Sequence, residues 1–352
     1  MRNKIYHWVE KHERLHYIIR CFHHMKDEAF VRDVNNESLF ALRMVSKGEK
    51  HKGKILYRIE DDTSGFFANF LFVLGDMWFA DTLGMYPVVI WGDRCPYYEK
   101  NGVNGVFNAW EYYFKQYGDL HAQDLDSAYR MSDVKKDVRR LAFGIENGYC
   151  LTEKYFLEMG RIMKKYIRLK PDIEAYINGN INGILEGKRT LGVQIRMGGM
   201  LANFNGHPIV PSLDEYVEAI KSVYKKGYGQ IFLATDDKRA LGRMKEEFGG
   251  CLVYYPDTTR VDGEYSTYCA NTEKKLHKYQ CGLEVLRDMY TLAGCDGFVG
   301  GLSQVGNAAQ IAKIASGTAY EDLLILDKGI NKNLRTAPDG KEELARAGKK
   351  LY

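Results

Sequence analysis

The chain has no CxxC pair, no apolar run of the roughly 20 residues needed to span a bilayer, no excess of either charge and few prolines. Each absence narrows the function. Seven cysteines (Cys21, Cys95, Cys150, Cys251, Cys269, Cys281, Cys295) are odd in number and widely spaced. They argue against a disulfide framework and a zinc site, fit a reducing compartment, and read as small buried hydrophobes. No cluster of His, Cys and carboxylates has metal-ligand spacing, so no metal is expected. A net charge of +4 with interspersed signs gives no nucleic-acid groove. The opening Met-Arg-Asn-Lys-Ile-Tyr lacks the apolar stretch of a secretory signal, so the expectation is a soluble, cytoplasmic chain. Residues 1–30 are basic and amphipathic, with Trp8, Tyr17, Ile18, Ile19 and Phe22 among Lys and His. They read either as a docked terminal helix or as a peripheral contact with the inner face of a membrane.

What is present is a folded α/β chain. Its 352 residues exceed one ordinary core, so two domains are expected, and 45% apolar residues with seven prolines suit a globular protein. The 25 tyrosines supply either buried packing or rings for stacking sugars and bases. Residues 1–50 read as a helical extension. A strand at 54-KILYRIE, the loop 61-DDTSGFFANF, an apolar helix from 70 and the run 86-YPVVIWG form a βαβ unit. Residues 105–170 read as mostly helical. The Gly- and Asn-rich stretch 170–188 marks a junction, giving an N-terminal α/β domain over 51–175, expected on the acceptor side. A Rossmann-like C-terminal domain follows over 176–330, and a charged tail over 331–352. Alternating strands at 190, 229, 251, 296 and 321 with helices between them predict a doubly wound parallel sheet.

Three segments place polar groups where apolar strands stop, the position at which open α/β sheets bind ligands. In 191-LGVQIRMGG the two-residue period sets Gln194 and Arg196 on one face. The Arg196 fork matches phosphate oxygens, and Gly198 and Gly199 allow a turn with open N–H groups; a structural salt bridge is the alternative. In 231-IFLATDD, one of Asp236 and Asp237 caps the next helix while the other points into the crevice. In 297-GFVGGLSQVGNAAQIA, Ser303 opens a helix whose N-terminus can receive a diphosphate, although ordinary capping also explains it. Glu284 and Asp288 lie one turn apart upstream and either reach a base or face solvent. Together these segments imply a site for a nucleotide diphosphate. The absence of a G-x-G-x-x-G after the first strand argues against a sugar-nucleotide epimerase.

The segments 191-LGVQIRMGG, 231-IFLATDD and 286-LRDMYTLAGCDGFVGGLSQVGNAAQIA, with 65-GFFANF and 107-FNAWEYYF upstream, resemble the α1,6-fucosyltransferase family. The resemblance runs in order over roughly residues 54–325. It implies a GT-B-like pair of Rossmann-like domains and an inverting, metal-independent transfer from GDP-fucose to a sugar hydroxyl of a bacterial-type surface or secreted glycan. It implies that Arg196 binds the diphosphate and neutralises the leaving GDP. Asp288 is expected to contact guanine, Asp236 and Asp237 to support the nucleotide site, Ser303 and Gln304 to hold phosphate, and Gly65 and Phe66 to close the pocket. The chain departs from the family where Gln194 replaces a His, Met197 a basic residue, and Gly199 and Met200 an Asp-Lys pair. The acceptor-activating base is therefore sought among His207, Asp214 and Glu215, with His207 preferred. A different GDP-deoxyhexose donor stays open because the guanine and phosphate contacts would survive such a swap, and the missing basic residues at 197 and 200 keep open a catalytically reduced module that binds a GDP-sugar or glycan.

Overall fold

The computed structural model describes residues 42–333 apart from 201, 202, 263, 264 and 271, together with residues 12, 15, 18, 19 and 22. The membrane-contact reading of residues 1–30, most of the 1–50 extension and the tail after 333 lie outside the described residues.

The first unit is built on the expected βαβ. Strand Leu56–Glu60 (β1), helix Phe66–Thr82 (α1) and strand Tyr86–Ile90 (β2) follow in order, and the two-residue strand Met131–Ser132 (β3) pairs on the other side of β1. All pairings are parallel, in the order β2-β1-β3. The period of two divides β1: Tyr57 and Ile59 enter the cluster with α1, whereas Leu56 joins Val88, Leu125 and Met131 on the opposite face. Helix α1 is apolar on every side, as a helix enclosed by other elements must be.

Residues 105–150 correct the helical expectation. Ala109–Tyr112 and Ala122–Asp126 are 3-10 turns, and only Val138–Phe143 (α2) is α-helical before Glu153–Tyr166 (α3). The run 110-WEYYF has large rings at nearly every position, so no helix could bury them on one face. Instead Trp110 and Phe114 stack at 4.2 Å, and Tyr113 meets Phe66 edge-on at 5.2 Å. The expected junction at 170–188 is also helical, over Pro171–Leu185 (α4), so a boundary at 175/176 falls inside an element. Pro171 at the first helical position and the buried pair Ile173 and Ile177 outweigh the local Gly and Asn content.

The second unit matches the expected alternation. Its elements are Thr190–Ile195 (β4), Leu213–Tyr224 (α5), Gln230–Thr235 (β5), Lys238–Phe248 (α6), Leu252–Val253 (β6), His277–Gly294 (α7), Gly297–Gly301 (β7), Gln304–Ala315 (α8) and Asp322–Leu326 (β8). The strand expected at 251 is only two residues long. Strand order is β6-β5-β4-β7-β8, all parallel, so the direction of winding reverses between β4 and β7. Leu191, Val193, Ile231, Leu233 and Val299 pack under α5 and α6, while Phe232, Ala234 and Phe298 pack under α7 and α8. The sheet is thus doubly wound, and the whole molecule is α/β with two parallel sheets in Rossmann-like units. The α7–α8 layer also packs on α1, α3 and α4, so one apolar cluster runs through both units. Among the described residues no helix is long and apolar enough to cross a membrane.

Candidate functional site

The reversal between β4 and β7 opens a cleft of about 310 Å³ whose far wall is the start of α1. Gly65, Phe66, Gln194, Arg196, His207, Asp236, Asp288, Ser303 and Gln304 all line it. Position largely follows from sequence: Arg196 and Asp236 stand just past apolar strands, Gly65, Phe66, Ser303 and Gln304 at helix starts and Asp288 on a face of α7, whereas Gln194 lies within β4 and His207 in the loop after it.

Arg196, one residue beyond β4, is ion-paired with Asp236, one residue beyond β5. Asp236 Oδ1 also accepts from the N–H groups of Met197 (3.1 Å) and Gly198 (3.3 Å). A Cβ on residue 198 would come within 2.6 Å of Asp236 Oδ2, so glycine is required for this turn to close on the carboxylate. Gly199 follows with φ +72, a conformation that L side chains rarely adopt. Asp236 therefore supports Arg196 directly.

Asp237 is a correction. It is fully buried, caps α6 by accepting from Arg239 N (2.8 Å) and Ala240 N (3.0 Å), and pairs with the Arg239 guanidinium. Its carboxylate is engaged away from the cleft. Asp214 and Glu215 are likewise removed from consideration as bases. Asp214 is solvent-exposed and pairs with Arg243, and Glu215 closes a capping box with Ser212 and pairs with Lys328. His207 does reach the cleft, with its ring 5.9 Å from that of Tyr149.

At the β7 edge, Ser303 Oγ accepts from Gly306 N (2.9 Å) and donates to Gln194 Oε1 (2.7 Å). Ser303 thus caps α8, the ordinary one of the two alternatives, and also ties β7 to β4. Gln304 Nε2 donates to Gly148 O at 3.1 Å. Opposite, Gly65 and Phe66 open α1. Phe66 is a core ring, edge-on to Trp91 and Tyr97 at 5.3 Å, and only its edge of the helix start faces the cleft. Asn69 orders the approach, accepting from Asp62 N (2.8 Å) and donating to Ser64 O (2.9 Å). Two helix N-termini, from α1 and α8, therefore converge on one space beside a guanidinium, an arrangement suited to an anion.

Helix α7 brings two carboxyl groups to the cleft. Asp288 is 7% exposed and has no hydrogen-bond partner among the described residues. Burial pushes its carboxyl up to about 7, although Arg287 and Arg260 pull in the other direction. Glu284, one turn earlier, accepts from Thr259 N (2.7 Å) and pairs with Lys274 (2.5 Å). Arg287, 1% exposed, holds Asp257 with both arms (2.9 and 3.0 Å) and lies 3.8 Å over the Tyr255 ring. These contacts fasten the loop between β6 and α7, whose Thr258, Thr259, Ser266 and Tyr268 form the wall of the cleft. Sequence reasoning passed over that loop, although its length inside a compact unit was a signal. Cys281 also lines the cleft; burial pushes its thiol up to about 12, so it serves as wall and not as a nucleophile. Tyr97 and Tyr149 were missed as well, and nothing in their local sequence distinguishes them from the other tyrosines.

No family model matches the chain, and no curated protein matches it. Among solved structures, it is similar to NodZ alpha-1,6-fucosyltransferase soaked with GDP-fucose at 15% identity, over 74% of this chain and 92% of that one, with a TM-score of 0.48. It is similar to POFUT1 in complex with GDP-fucose at 11% identity, over 79% of this chain and 99% of that one, with a TM-score of 0.43. It is also similar to a variant of Arabidopsis thaliana FUT1 in complex with GDP at 12% identity, over 82% of this chain and 74% of that one, with a TM-score of 0.43.

Proposed function

We propose that the chain is a glycosyltransferase that moves fucose from GDP-fucose to a hydroxyl of a glycan acceptor, with inversion at the sugar and without a metal. One observation carries the reading. A single cleft at the winding reversal is lined by a guanidinium, by two helix N-termini and by a buried carboxyl, Asp288, that has no hydrogen-bond partner among the described residues. Cationic and dipolar groups meet a diphosphate, and a carboxylate accepts from the N1–H and exocyclic amine of guanine. Fucose as the transferred sugar rests on the motif resemblance.

In this reading Arg196 is a catalytic residue. As the bond from the sugar C1 to the β-phosphate oxygen breaks, negative charge accumulates on GDP. Arg196, oriented by Asp236, and the N–H groups opening α8 neutralise that charge without reorganising. His207 takes the proton of the acceptor hydroxyl as that oxygen attacks C1 from the face opposite GDP. Ser303 and Gln194 keep the β4 and β7 edges in register, and the loop pinned by Arg287 and Glu284 encloses the base.

Calorimetric titration with GDP, GDP-fucose, GDP-mannose and UDP-glucose in the presence of EDTA tests the reading, paired with transfer assays on Arg196→Ala. Expected are a preference for GDP-fucose, turnover that survives EDTA, and a loss of about 10²–10³-fold or more in turnover for the variant. Equal binding of UDP-glucose, strict dependence on a divalent cation, or near-normal turnover of Arg196→Ala would overturn it.

A further inference from the structure

Around Arg196 the cleft offers few free side-chain donors. Arg196 already pairs with Asp236, the Ser303 hydroxyl is engaged with Gly306 N and Gln194 Oε1, and Met197 and Met200 offer no donor. A donor does enter from the first unit. The segment 147-NGY-149 is fastened across the gap by three hydrogen bonds: Asn147 Nδ2 to Gly206 O (3.0 Å), Gln304 Nε2 to Gly148 O (3.1 Å) and Asn307 Nδ2 to Tyr149 O (3.2 Å). Its own turn is set by Tyr149 N donating to Asn147 Oδ1 at 2.9 Å. The backbone is thus tied both to the first turn of α8 and to the residue before His207. From this anchored position the Tyr149 side chain lines the cleft, and its hydroxyl has no hydrogen-bond partner among the described residues. The phenol lies within electrostatic reach of two guanidinium groups, Arg196 and Arg139. Arg139 stacks 4.0 Å over the Phe72 ring.

We propose that the Tyr149 hydroxyl donates a hydrogen bond to a phosphate oxygen of the nucleotide diphosphate beside Arg196, so that the first unit adds a side-chain donor to the anion site that the start of α1 already borders. The proposal rests on the GDP-sugar reading. Positive potential from two arginines favours an anion over a neutral sugar hydroxyl at this spot, and the rigid anchoring removes the ordering cost of recruiting the group.

Tyr149→Phe tests it, because the ring and its contact with His207 remain while the donor is lost. Titration of both proteins with GDP and with guanosine separates a phosphate contact from a structural one. The expected result is GDP affinity reduced about 10- to 100-fold, the range for a hydrogen bond to a charged group, with guanosine affinity unchanged. Unchanged GDP affinity overturns the proposal and leaves the GDP-sugar reading standing, as does an equal fall for guanosine and GDP. A rise confined to the KM for acceptor would reassign the hydroxyl to the acceptor sugar and overturn it too. Failure of the unaltered chain to bind GDP overturns both.

Discussion

At the scale of single residues, Asp288 makes the most specific demand. Its carboxyl is buried and raised to about 7, whereas guanine presents two donors and so binds the ionised form. Binding of GDP must therefore release a proton wherever free Asp288 is protonated. Below about pH 7 the ionised fraction falls, approaching tenfold per pH unit, so GDP affinity is expected to weaken on acidification from pH 8 to pH 5.5. Asp288→Asn should bind GDP weakly and lose that slope. Calorimetry in buffers of different ionisation enthalpy counts the proton directly; a flat affinity profile in the unaltered chain would remove Asp288 from the base pocket. The same residue shows what was legible in the sequence. Arg196, Ser303 and Asp236 could be placed because the apolar strands ending beside them announce the sheet edge. Asp288 could be placed on a helix face, but its isolation from every donor could not. The strand end 236–237 could be read as one cap and one cleft residue, but not which was which; the resemblance gave both to the nucleotide site, and Asp237 is the one that turns back to cap the helix. Tyr149 left no trace, since its place in the cleft comes from contacts of the 147–149 segment with Gly206, Gln304 and Asn307, far away in the chain.

At the scale of elements, period and end signals worked where the chain is regular. β4, β5 and β7 are short apolar runs bounded by polar residues, and α6 and α8 begin at the Asp and Ser that precede them. They failed over 105–150, where aromatic rings dictate packing without a period, and over 171–185, where a weak isoleucine stripe still suffices for a helix. The start of α7 is a third kind of case. Leu276, its N-cap, has φ +52 and no capping side chain; instead Glu99 of the first unit accepts from the N–H groups of Lys278 (2.9 Å) and Tyr279 (3.1 Å). No local pattern could announce a cap supplied from 179 residues away. A carboxylate at a helix N-terminus satisfies orphan donors and complements the dipole. Glu99→Ala is expected to lower stability by about 0.5–2 kcal/mol, the range for loss of a cap, as read from urea unfolding. Because α7 carries Glu284 and Asp288, nucleotide affinity should fall with it. Unchanged stability would mean that water replaces the carboxylate at no cost.

At the scale of the whole molecule, the sequence led to two domains, and two parallel sheets are present. Inter-domain interfaces within one chain are ordinarily modest and permit independent motion. Here a single apolar cluster joins Phe66, Phe70 and Trp110 of the first unit to Leu283, Leu286, Ala308 and Ile311 of the second. Across it, Tyr113 Oη donates to Tyr279 O at 2.9 Å. Units that share a core lose it together, so the prediction is one cooperative transition. The tryptophans make this testable without labels. Trp78, Trp91 and Trp110 lie in the first unit, so in a Trp8→Phe background fluorescence follows that unit whereas far-UV circular dichroism follows both. In urea the two signals should share one midpoint, and saturating GDP should move both by the same amount, about 2.7 kcal/mol at one hundred times its Kd. If the fluorescence midpoint stayed fixed while the dichroism midpoint rose, the nucleotide would be held by the second unit alone. The contacts of Tyr149 and Glu99 with the second unit would then contribute nothing to binding.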